Sequence, residues 1–277
     1  MITRRHLLRA ALAAPAAAAM AKESHLRIGV TDWNLRLAGQ VEAVALAARL
    51  GFQGVEVSLG RTPVDGRLPL DNAALQAEYL AAASREKIAL AGTCLDILHV
   101  NCGKADKLAL KWIGDGIGIT KRLKARVMLM PFFGKCELAT AADFDYVGDA
   151  LKELGKEAER AGIELGLENT ISARDNVRIM ERSASKAVKV YYDVGNSTRW
   201  GHDIMEEIPW LGAGRICQFH LKDTPYLGEG KVNFPEVMKR ILNLGFDGFA
   251  NLETGSPSKS IENDMKKNLA YVRQLAG

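Results

Sequence analysis

Apolar and polar residues follow two different patterns along this chain. Short apolar runs rich in valine, isoleucine and leucine are each followed by a longer stretch in which apolar residues recur every three to four positions. The first pattern is typical of buried β-strands and the second of amphipathic helices. Predicted strands cover residues 27–31, 54–58, 88–95, 126–130, 163–168, 188–193, 215–221 and 248–253. Predicted helices cover residues 38–50, 72–86, 106–123, 143–162, 174–184, 203–211, 234–244 and 261–275.

This alternation of strands and helices predicts a parallel sheet with right-handed connections. A doubly wound open sheet would normally carry a glycine-rich nucleotide-binding turn after its first strand. The turn here reads Thr31-Asp-Trp-Asn-Leu35 and holds no glycine. No change in composition marks a second domain. The sequence therefore predicts a single-domain α/β protein, a (β/α)₈ TIM barrel, for which ~250 residues are typical.

The first residues have the composition of a targeting segment. Arg4-Arg5 precedes an alanine-rich apolar stretch over residues 7–20, and Ala19-Met-Ala21 fits the small-x-small pattern of a cleavage site. The stretch is shorter than the ~20 apolar residues that cross a bilayer, and Pro15 lies inside it. These features disfavour the alternatives of a membrane anchor or an amphipathic first helix. We expect residues 1–21 to be a twin-arginine signal peptide, recognised by the twin-arginine export machinery. Residues 22–277 would then be a periplasmic barrel domain without stable membrane insertion.

The positive charge of the chain is concentrated in that first segment. The formal net charge is +4, but residues 1–21 contain three arginines and no acid, so residues 22–277 carry +1. A nucleic-acid-binding protein would be expected to present a clustered basic surface. We therefore expect no nucleic acid partner. The sequence is compatible with an oligomer but does not require one.

The cysteines Cys94, Cys102, Cys136 and Cys217 do not have the spacing of a zinc site. A disulfide between Cys94 and Cys102 is conceivable in an oxidising compartment. Cys217 lies three residues before His220 on a predicted strand. Because such positions face opposite sides of a strand, we expect Cys217 to pack outward against the helices.

The last four predicted strands end in residues that bind metals or transfer protons, namely Glu168, Asp193, His220 and Glu253. The C-terminal ends of the strands of a parallel barrel meet at one face, where the chemistry of barrel enzymes takes place. Two carboxylates ~4 Å apart repel by ~4 kcal/mol at an effective dielectric constant of ~20. Three converging carboxylates therefore need protons or a cation. An oxygen-rich set with one nitrogen suits one Mn²⁺ or Mg²⁺ ion, with Co²⁺ and Zn²⁺ as alternatives.

The same strand ends carry a family resemblance that extends over residues 22–277. The matching segments are Gly166-Leu-Glu168-Asn169, Tyr192-Asp-Val-Gly-Asn196, His220-Leu-Lys-Asp223 with Leu227-Gly-Glu-Gly230 after it, and Leu252-Glu253. Through them the chain resembles an exported member of the sugar phosphate isomerase/epimerase superfamily, the xylose-isomerase-like barrels. These motifs indicate the superfamily more specifically than the substrate, since its members include ketose 3-epimerases, hydroxypyruvate isomerase and inosose dehydratase.

The resemblance implies that Glu168, Asp193, His220 and Glu253 bind one divalent ion, usually manganese, and that Glu168 and Glu253 are also the catalytic pair. One glutamate would remove the proton next to the substrate carbonyl, giving an ene-diolate, and the other would return a proton. The implied function is a metal-dependent isomerase or epimerase of a keto sugar or polyol. The alternative is a lyase or dehydratase, which would lose a β-hydroxyl or an aglycone after the same proton removal, as inosose dehydratase or an enzyme acting on 3-keto-glycosides would.

Further residues are predicted to contact the carbohydrate substrate: Lys222, His99, Asn196, Trp33, Glu56 and Arg199. Each also has an ordinary structural explanation, such as a packed tryptophan or a solvated lysine. In ketose 3-epimerases the resemblance leads us to expect a histidine where Asn196 stands, and an arginine within the loop over residues 224–228. This departure argues against a free ketohexose as the substrate.

Two other classes of function are compatible with a barrel. A DNA-repair endonuclease of related fold would assemble a histidine-rich site for several metals, but His99, His202 and His220 are the histidines that follow the first strand. A non-catalytic sugar-binding barrel would not need a pair of proton-transfer carboxylates. Both are less favoured than the enzyme.

Overall fold

The chain folds into a closed cylinder of parallel strands with helices around it. The computed structural model describes residues 25–277, so the predicted signal peptide lies outside the described residues. The strands are β1 Arg27–Thr31, β2 Gly54–Ser58, β3 Ala89–Cys94, β4 Val127–Pro131, β5 Glu164–Glu168, β6 Val188–Asp193, β7 Ile216–Leu221 and β8 Phe249–Leu252. Each pairs in parallel with the next, and β8 pairs with β1 to close the barrel. The predicted single-domain TIM barrel is confirmed.

Helices follow the strands in the predicted order. They are α1 Glu42–Leu50, α2 Ala73–Glu86, α3 Lys107–Arg122, α4 Ala141–Ala161, α5 Ala173–Ser183, α6 Val194–Arg199, α7 Ile204–Arg215, α8 Phe234–Asn243 and α9 Ile261–Ala276. The sequence did not predict the short helix α6, which begins directly after β6. Short 3₁₀ turns at Asp96–His99 and Gly134–Cys136 follow β3 and β4.

Local chemistry at the helix ends fixes where the outer helices start and stop. The longest helix, α4, begins with a capping box in which Thr140 Oγ1 accepts from the backbone of Asp143 while the Asp143 carboxylate accepts from the backbone of Thr140. Helix α1 ends at Gly51, whose φ of 97° lies in the left-handed region that glycine adopts without strain. Apolar faces of the helices and the outward faces of the strands form one continuous core.

The interior of the barrel contains a polar layer directly beneath the ends of the last four strands. Its members lie two residues before Glu168, Asp193, His220 and Glu253 and so share their faces: Gly166, Tyr191, Gln218 and Asn251. Gly166 has no side chain because a Cβ there would lie 2.9 Å from Cys217 Sγ and 3.0 Å from Tyr191 Cβ. This layer is the floor on which the candidate site stands.

Cys217 lies inside the barrel, so the expectation that it packs against the helices is wrong. The pairing of β6 with β7 passes from Val190–Ile216 to Tyr191–Gln218, which leaves Cys217 as an extra residue in a bulge. A bulge shifts the alternation of faces by one residue. Cys217 therefore packs in an interior cluster with Tyr191 and Leu129.

A disulfide joins Cys102, after the 3₁₀ turn that follows β3, to Cys136 in the turn that follows β4. The Cys94–Cys102 bond that the sequence left open does not form, because Cys94 is the last residue of β3, buried inside the barrel with a free thiol. The bond ties together two loops at the C-terminal face of the barrel. Within residues 25–277, the helices fall short of the length and apolarity needed to cross a membrane.

Candidate active site

The four predicted metal ligands converge at the C-terminal face of the barrel. One ligand atom from each of Glu168, Asp193, His220 and Glu253 lies within 4.8 Å of the other three. His220 Nδ1 is 2.8 Å from Glu168 Oε1 and 3.7 Å from Glu253 Oε2. The side chain of His220 is fully buried, and that of Glu253 remains 18% exposed toward the opening. The strand ends therefore bring three carboxylates and one imidazole to a common point.

The donor atoms fit a hard divalent cation. Asp193 Oδ1 accepts the backbone N–H of Asn196 at 2.8 Å, whereas Asp193 Oδ2 is buried without a hydrogen-bond partner in the described part of the chain. Lys222 Nζ lies 3.7 Å from Oδ2, too far for a hydrogen bond. A buried carboxylate oxygen without a hydrogen bond is costly unless a cation approaches it more closely. Three carboxylates and one imidazole offer the mostly oxygen donors that Mn²⁺ and Mg²⁺ prefer. Glu168, Asp193, His220 and Glu253 could thus hold one such ion.

Burial and the charges of neighbouring groups shift the pKa values of Asp193, His220 and Glu253. Burial raises the pKa of Asp193 to about 7, against the opposing pull of Lys222. Burial opposes the charge of His220, but the carboxylates of Glu168, Glu253 and Glu56 raise its pKa well above the usual value. Burial acts against the Glu253 anion too, yet His220 and Lys222 lower its pKa to about 2. The site therefore concentrates negative charge that only nearby cations compensate.

Four of the six predicted substrate contacts line one cleft above this cluster, with a volume of about 370 Å³. The lining residues are Trp33, Arg61, Cys94, Asp96, His99, Pro131, Phe133, Glu168, Asn196, Lys222 and Glu253. Two of the four also hold Glu253, since Trp33 Nε1 donates to its Oε1 at 3.0 Å and Lys222 Nζ donates to its Oε2 at 2.7 Å. The cleft is large enough for a small carbohydrate.

The other two predicted contacts lie elsewhere. Glu56 is fully buried beneath His220, where its Oε2 accepts from His220 Nε2 at 2.9 Å and from Tyr191 Oη at 2.7 Å. Arg199, at the end of α6, lines a neighbouring pocket of about 360 Å³ that shares Asn196 and Lys222 with the cleft. Neither residue borders the cleft itself, so their roles as substrate contacts have no direct support in this geometry.

Several residues that line the cleft were not among the predicted contacts. Asp96, in the 3₁₀ turn after β3, accepts a hydrogen bond from Ser58 Oγ at 2.6 Å, and burial raises its pKa. Phe133 stacks on His99 with ring centroids 6.2 Å apart. Arg61 enters from the loop after β2. Their position after a strand was visible in the sequence, but a polar or aromatic loop residue near a strand end is too common to single out.

Fold and site together define a class of protein, a (β/α)₈ barrel with a carboxylate–histidine centre capable of holding a metal at the C-terminal face. The profile of the Xylose isomerase-like TIM barrel family matches residues 44–275, and the chain belongs to this family. The family resemblance inferred from the strand-end motifs is therefore confirmed.

The individual relatives share little sequence identity with this chain. An uncharacterised protein of Methanocaldococcus jannaschii is 29% identical over 143 residues, which span 45% of this chain and 48% of that protein. The solved structure of D-psicose 3-epimerase from Clostridium cellulolyticum H10 with D-tagatose superposes with a TM-score of 0.74 and 17% identity, covering 90% of this chain and 99% of that one. That of 3-keto-D-glucoside 4-epimerase from E. coli gives a TM-score of 0.69 and 16% identity, covering 90% and 99%. At these identities the solved structures establish the fold.

Proposed function

We propose that this protein is a divalent-metal-dependent epimerase or isomerase of a keto sugar or related polyol. The observation that carries the proposal is the convergence of Glu168, Asp193, His220 and Glu253 within 4.8 Å at the floor of a cleft of about 370 Å³. Family membership and the epimerases among the structural neighbours support it. A binding protein would not need proton-transfer groups at that floor.

We assign the proton transfers to the two glutamates. Glu253 is suited by its position to act as the base, because Trp33 and Lys222 hold both of its oxygens at the edge of the cleft. Glu168 lies at the same ring nitrogen as Glu253, with its Oε1 2.8 Å and Glu253 Oε2 3.7 Å from His220 Nδ1. Proton removal next to the substrate carbonyl by one glutamate, followed by return from the other, would invert a carbon or move the carbonyl.

The ion would be held by Glu168, Asp193, His220 and Glu253, and when bound it would supply Lewis-acid polarisation of substrate oxygens. We favour Mn²⁺ because the family resemblance implies it, with Mg²⁺, Co²⁺ and Zn²⁺ as alternatives. Around the ion, the protein's own groups orient the substrate. Lys222 lies at the edge of the cleft with its ammonium on Glu253, and the His99–Phe133 stack forms a wall.

We also propose that the protein acts after export through the twin-arginine pathway. The support is the residue pattern of the first 21 residues together with the Cys102–Cys136 disulfide, since disulfides persist in oxidising compartments. A carbohydrate found outside the cytoplasm would then be the substrate.

Elimination of an aglycone or hydroxyl remains an alternative that begins with the same proton removal. The structural neighbours named above are epimerases, so the comparisons do not favour a lyase. A DNA-cleaving role has no support in a cleft floored by carboxylates, nor in residues 22–277, whose formal net charge is +1.

Solvent-deuterium exchange tests the proposal. Protein loaded with Mn²⁺ in D₂O should incorporate deuterium next to the carbonyl of at least one member of a panel of ketoses, inososes and 3-keto-glycosides, followed by NMR. The variants Glu168→Gln and Glu253→Gln should lose the exchange, and Glu164→Gln at the other end of the barrel should retain it. Exchange at the wild-type rate in Glu168→Gln or Glu253→Gln would contradict the proton-transfer role of that glutamate. A metal analysis that finds no bound divalent ion would contradict the proposed metal dependence.

A further inference from the structure

Beneath the proposed metal ligands lies a carboxylate that the proposed reaction does not use. Glu56 is on β2, on the opposite side of the barrel from the ligand-bearing strands, and its side chain is entirely buried. A carboxylate is almost never fully buried without charged or hydrogen-bonding partners. Its position therefore calls for a specific function inside the barrel.

Within residues 25–277, the side-chain hydrogen bonds of Glu56 are all made through one oxygen, and Oε1 is buried without one. Oε2 accepts from His220 Nε2 at 2.9 Å, from Tyr191 Oη at 2.7 Å and from Asn251 Nδ2 at 3.2 Å. Asn251 Nδ2 is also 2.8 Å from Tyr191 Oη and 3.0 Å from Gln218 Oε1. The anion is thus bound by donors from β6, β7 and β8, the strands that carry three of the proposed ligands.

The two nitrogens of the His220 ring face different partners. Nδ1 faces Glu168 and Glu253, the side on which the ligand atoms converge, whereas Nε2 faces Glu56. A histidine that binds a metal through one nitrogen commonly donates the N–H of the other to a carboxylate, which fixes the tautomer and the ring orientation and makes the ligand more basic.

We infer that Glu56 is the positioning residue of the metal centre, holding His220 so that Nδ1 is presented to the ion, with Tyr191 and Asn251 fixing Glu56 in turn. This inference rests on the proposed function, because it assumes that His220 binds a metal. It also replaces the predicted role of Glu56 as a substrate contact with one beneath the site. Glu56 touches neither the cleft nor the ion in this assignment.

Metal affinity tests the inference directly. Dissociation constants for Mn²⁺ would be measured by competition with a fluorescent chelator, on full-length mature protein. Glu56→Gln keeps the shape but removes the charge, and Glu56→Leu removes the hydrogen bond as well. We expect affinity to fall about 10-fold in the first and up to about 100-fold in the second. Glu164→Gln, which removes a carboxylate from the other end of the barrel, should bind as the wild type does.

Two further measurements separate positioning from a purely structural effect. Tyr191→Phe loosens Glu56 but leaves its bond to His220, so Mn²⁺ affinity should change less than threefold even if the melting temperature falls. In protein loaded with diamagnetic Zn²⁺, the His220 Nε2–H resonance should be visible in the wild type and lost in Glu56→Leu. Equal affinity losses in Tyr191→Phe and Glu56→Gln, tracking their melting temperatures, would reduce Glu56 to a structural residue and overturn the inference.

The outcomes also separate this inference from the proposed function. Wild-type protein that binds no divalent ion would overturn the metal centre itself. Wild-type protein that binds Mn²⁺ while Glu56→Gln and Glu56→Leu bind it equally well would overturn the role of Glu56 alone. In that case the four ligands and the two catalytic glutamates would stand.

Discussion

The two ends of the barrel differ in how their acidic side chains are paired with positive charges. The cavity at the N-terminal end of the strands is the larger, at about 500 Å³ against about 370 Å³ for the cleft. Its half-buried acid, Glu164, is paired with Arg126 at 3.0 Å and Lys189 at 2.8 Å. At the C-terminal end, three carboxylates share His220 and Lys222. Asp193 Oδ2 has no hydrogen-bond partner in the described part of the chain, and Lys222 Nζ lies 3.7 Å from it. Uncompensated buried charge, more than volume, therefore distinguishes the candidate site.

The largest expected difference between the two ends is in activity. Glu253→Gln should reduce proton exchange by about 10²–10⁴-fold, because a positioned general base contributes that much. Glu164→Gln should leave the rate within a few-fold of the wild type, since its partners Arg126 and Lys189 lie at the opposite end. Deuterium incorporation under identical Mn²⁺ loading measures both. A loss of similar size in both variants would show that the comparison reflects stability and not chemistry.

The next effect concerns the loops that wall the cleft. The Cys102–Cys136 bond spans 34 residues, and a cross-link over such a loop contributes about 2–4 kcal/mol. Replacing both cysteines by serine should lower the melting temperature by about 5–15 °C. Calorimetry would measure this, with Cys94→Ser as the matched control inside the barrel. If reducing agent lowers the melting temperature of the wild type no more than that of the double variant, the bond contributes nothing.

A bound ion should stabilise one end of the barrel and not the other. Mn²⁺ at about 100 times its dissociation constant should add about 2.7 kcal/mol, or about 5–10 °C in melting temperature for a chain of this size. Asp193→Asn should abolish the increase because it removes a ligand, whereas Glu164→Gln should show it in full. An equal shift in Asp193→Asn would place the bound ion elsewhere.

A further effect is a pH dependence from a carboxylate outside the proposed metal centre. Asp32 is buried after β1, and burial raises its pKa to about 8, although the backbone N–H groups of Gly39 and Ser58 donate to it. The folded state then binds a proton that the unfolded state releases near pH 4. The contribution of Asp32 to the free energy of unfolding therefore falls as the pH rises from about 4 to about 8, and it is constant above pH 8.

Asp32→Asn should remove that pH dependence. We expect the variant to gain several degrees in melting temperature over the wild type at pH 8.5 and little at pH 4. The exposed Asp247, at the other end of the barrel, provides the control, since Asp247→Asn should change nothing at either pH. An equal gain at both pH values would attribute the effect to packing instead of ionisation.

The sequence contains most of the fold and the proposed ligand set because both follow from strong periodic patterns. Strands β1, β2 and β6 begin and end where predicted, and the four proposed ligands, which the structure brings together, are the last residues of four apolar runs. Alternation of faces along a strand was enough to place them on one side. What the pattern describes well is the order of the strands and the direction in which their ends point.

The remaining features depend on contacts between distant strands. The bulge that turns Cys217 inward is visible only in the pairing of β6 with β7. The partner of Cys102 depends on how the loops after β3 and β4 lie against each other. The position of Glu56 under His220 spans 164 residues of sequence. A single sequence carries the residue types for these contacts but not the register that brings them together.

The indole of Trp33 makes the hydrogen bond that orients one oxygen of Glu253, across 220 residues and over the line where the first and last strands meet. This links the readiness of the proposed base to completion of the whole chain. A molecule in which β1 and β8 have separated still contains Glu253 but lacks the hydrogen bond that orients it. Molecules with an incomplete or open barrel should therefore be inactive, and the rate of proton exchange would measure the fraction of molecules whose barrel is closed.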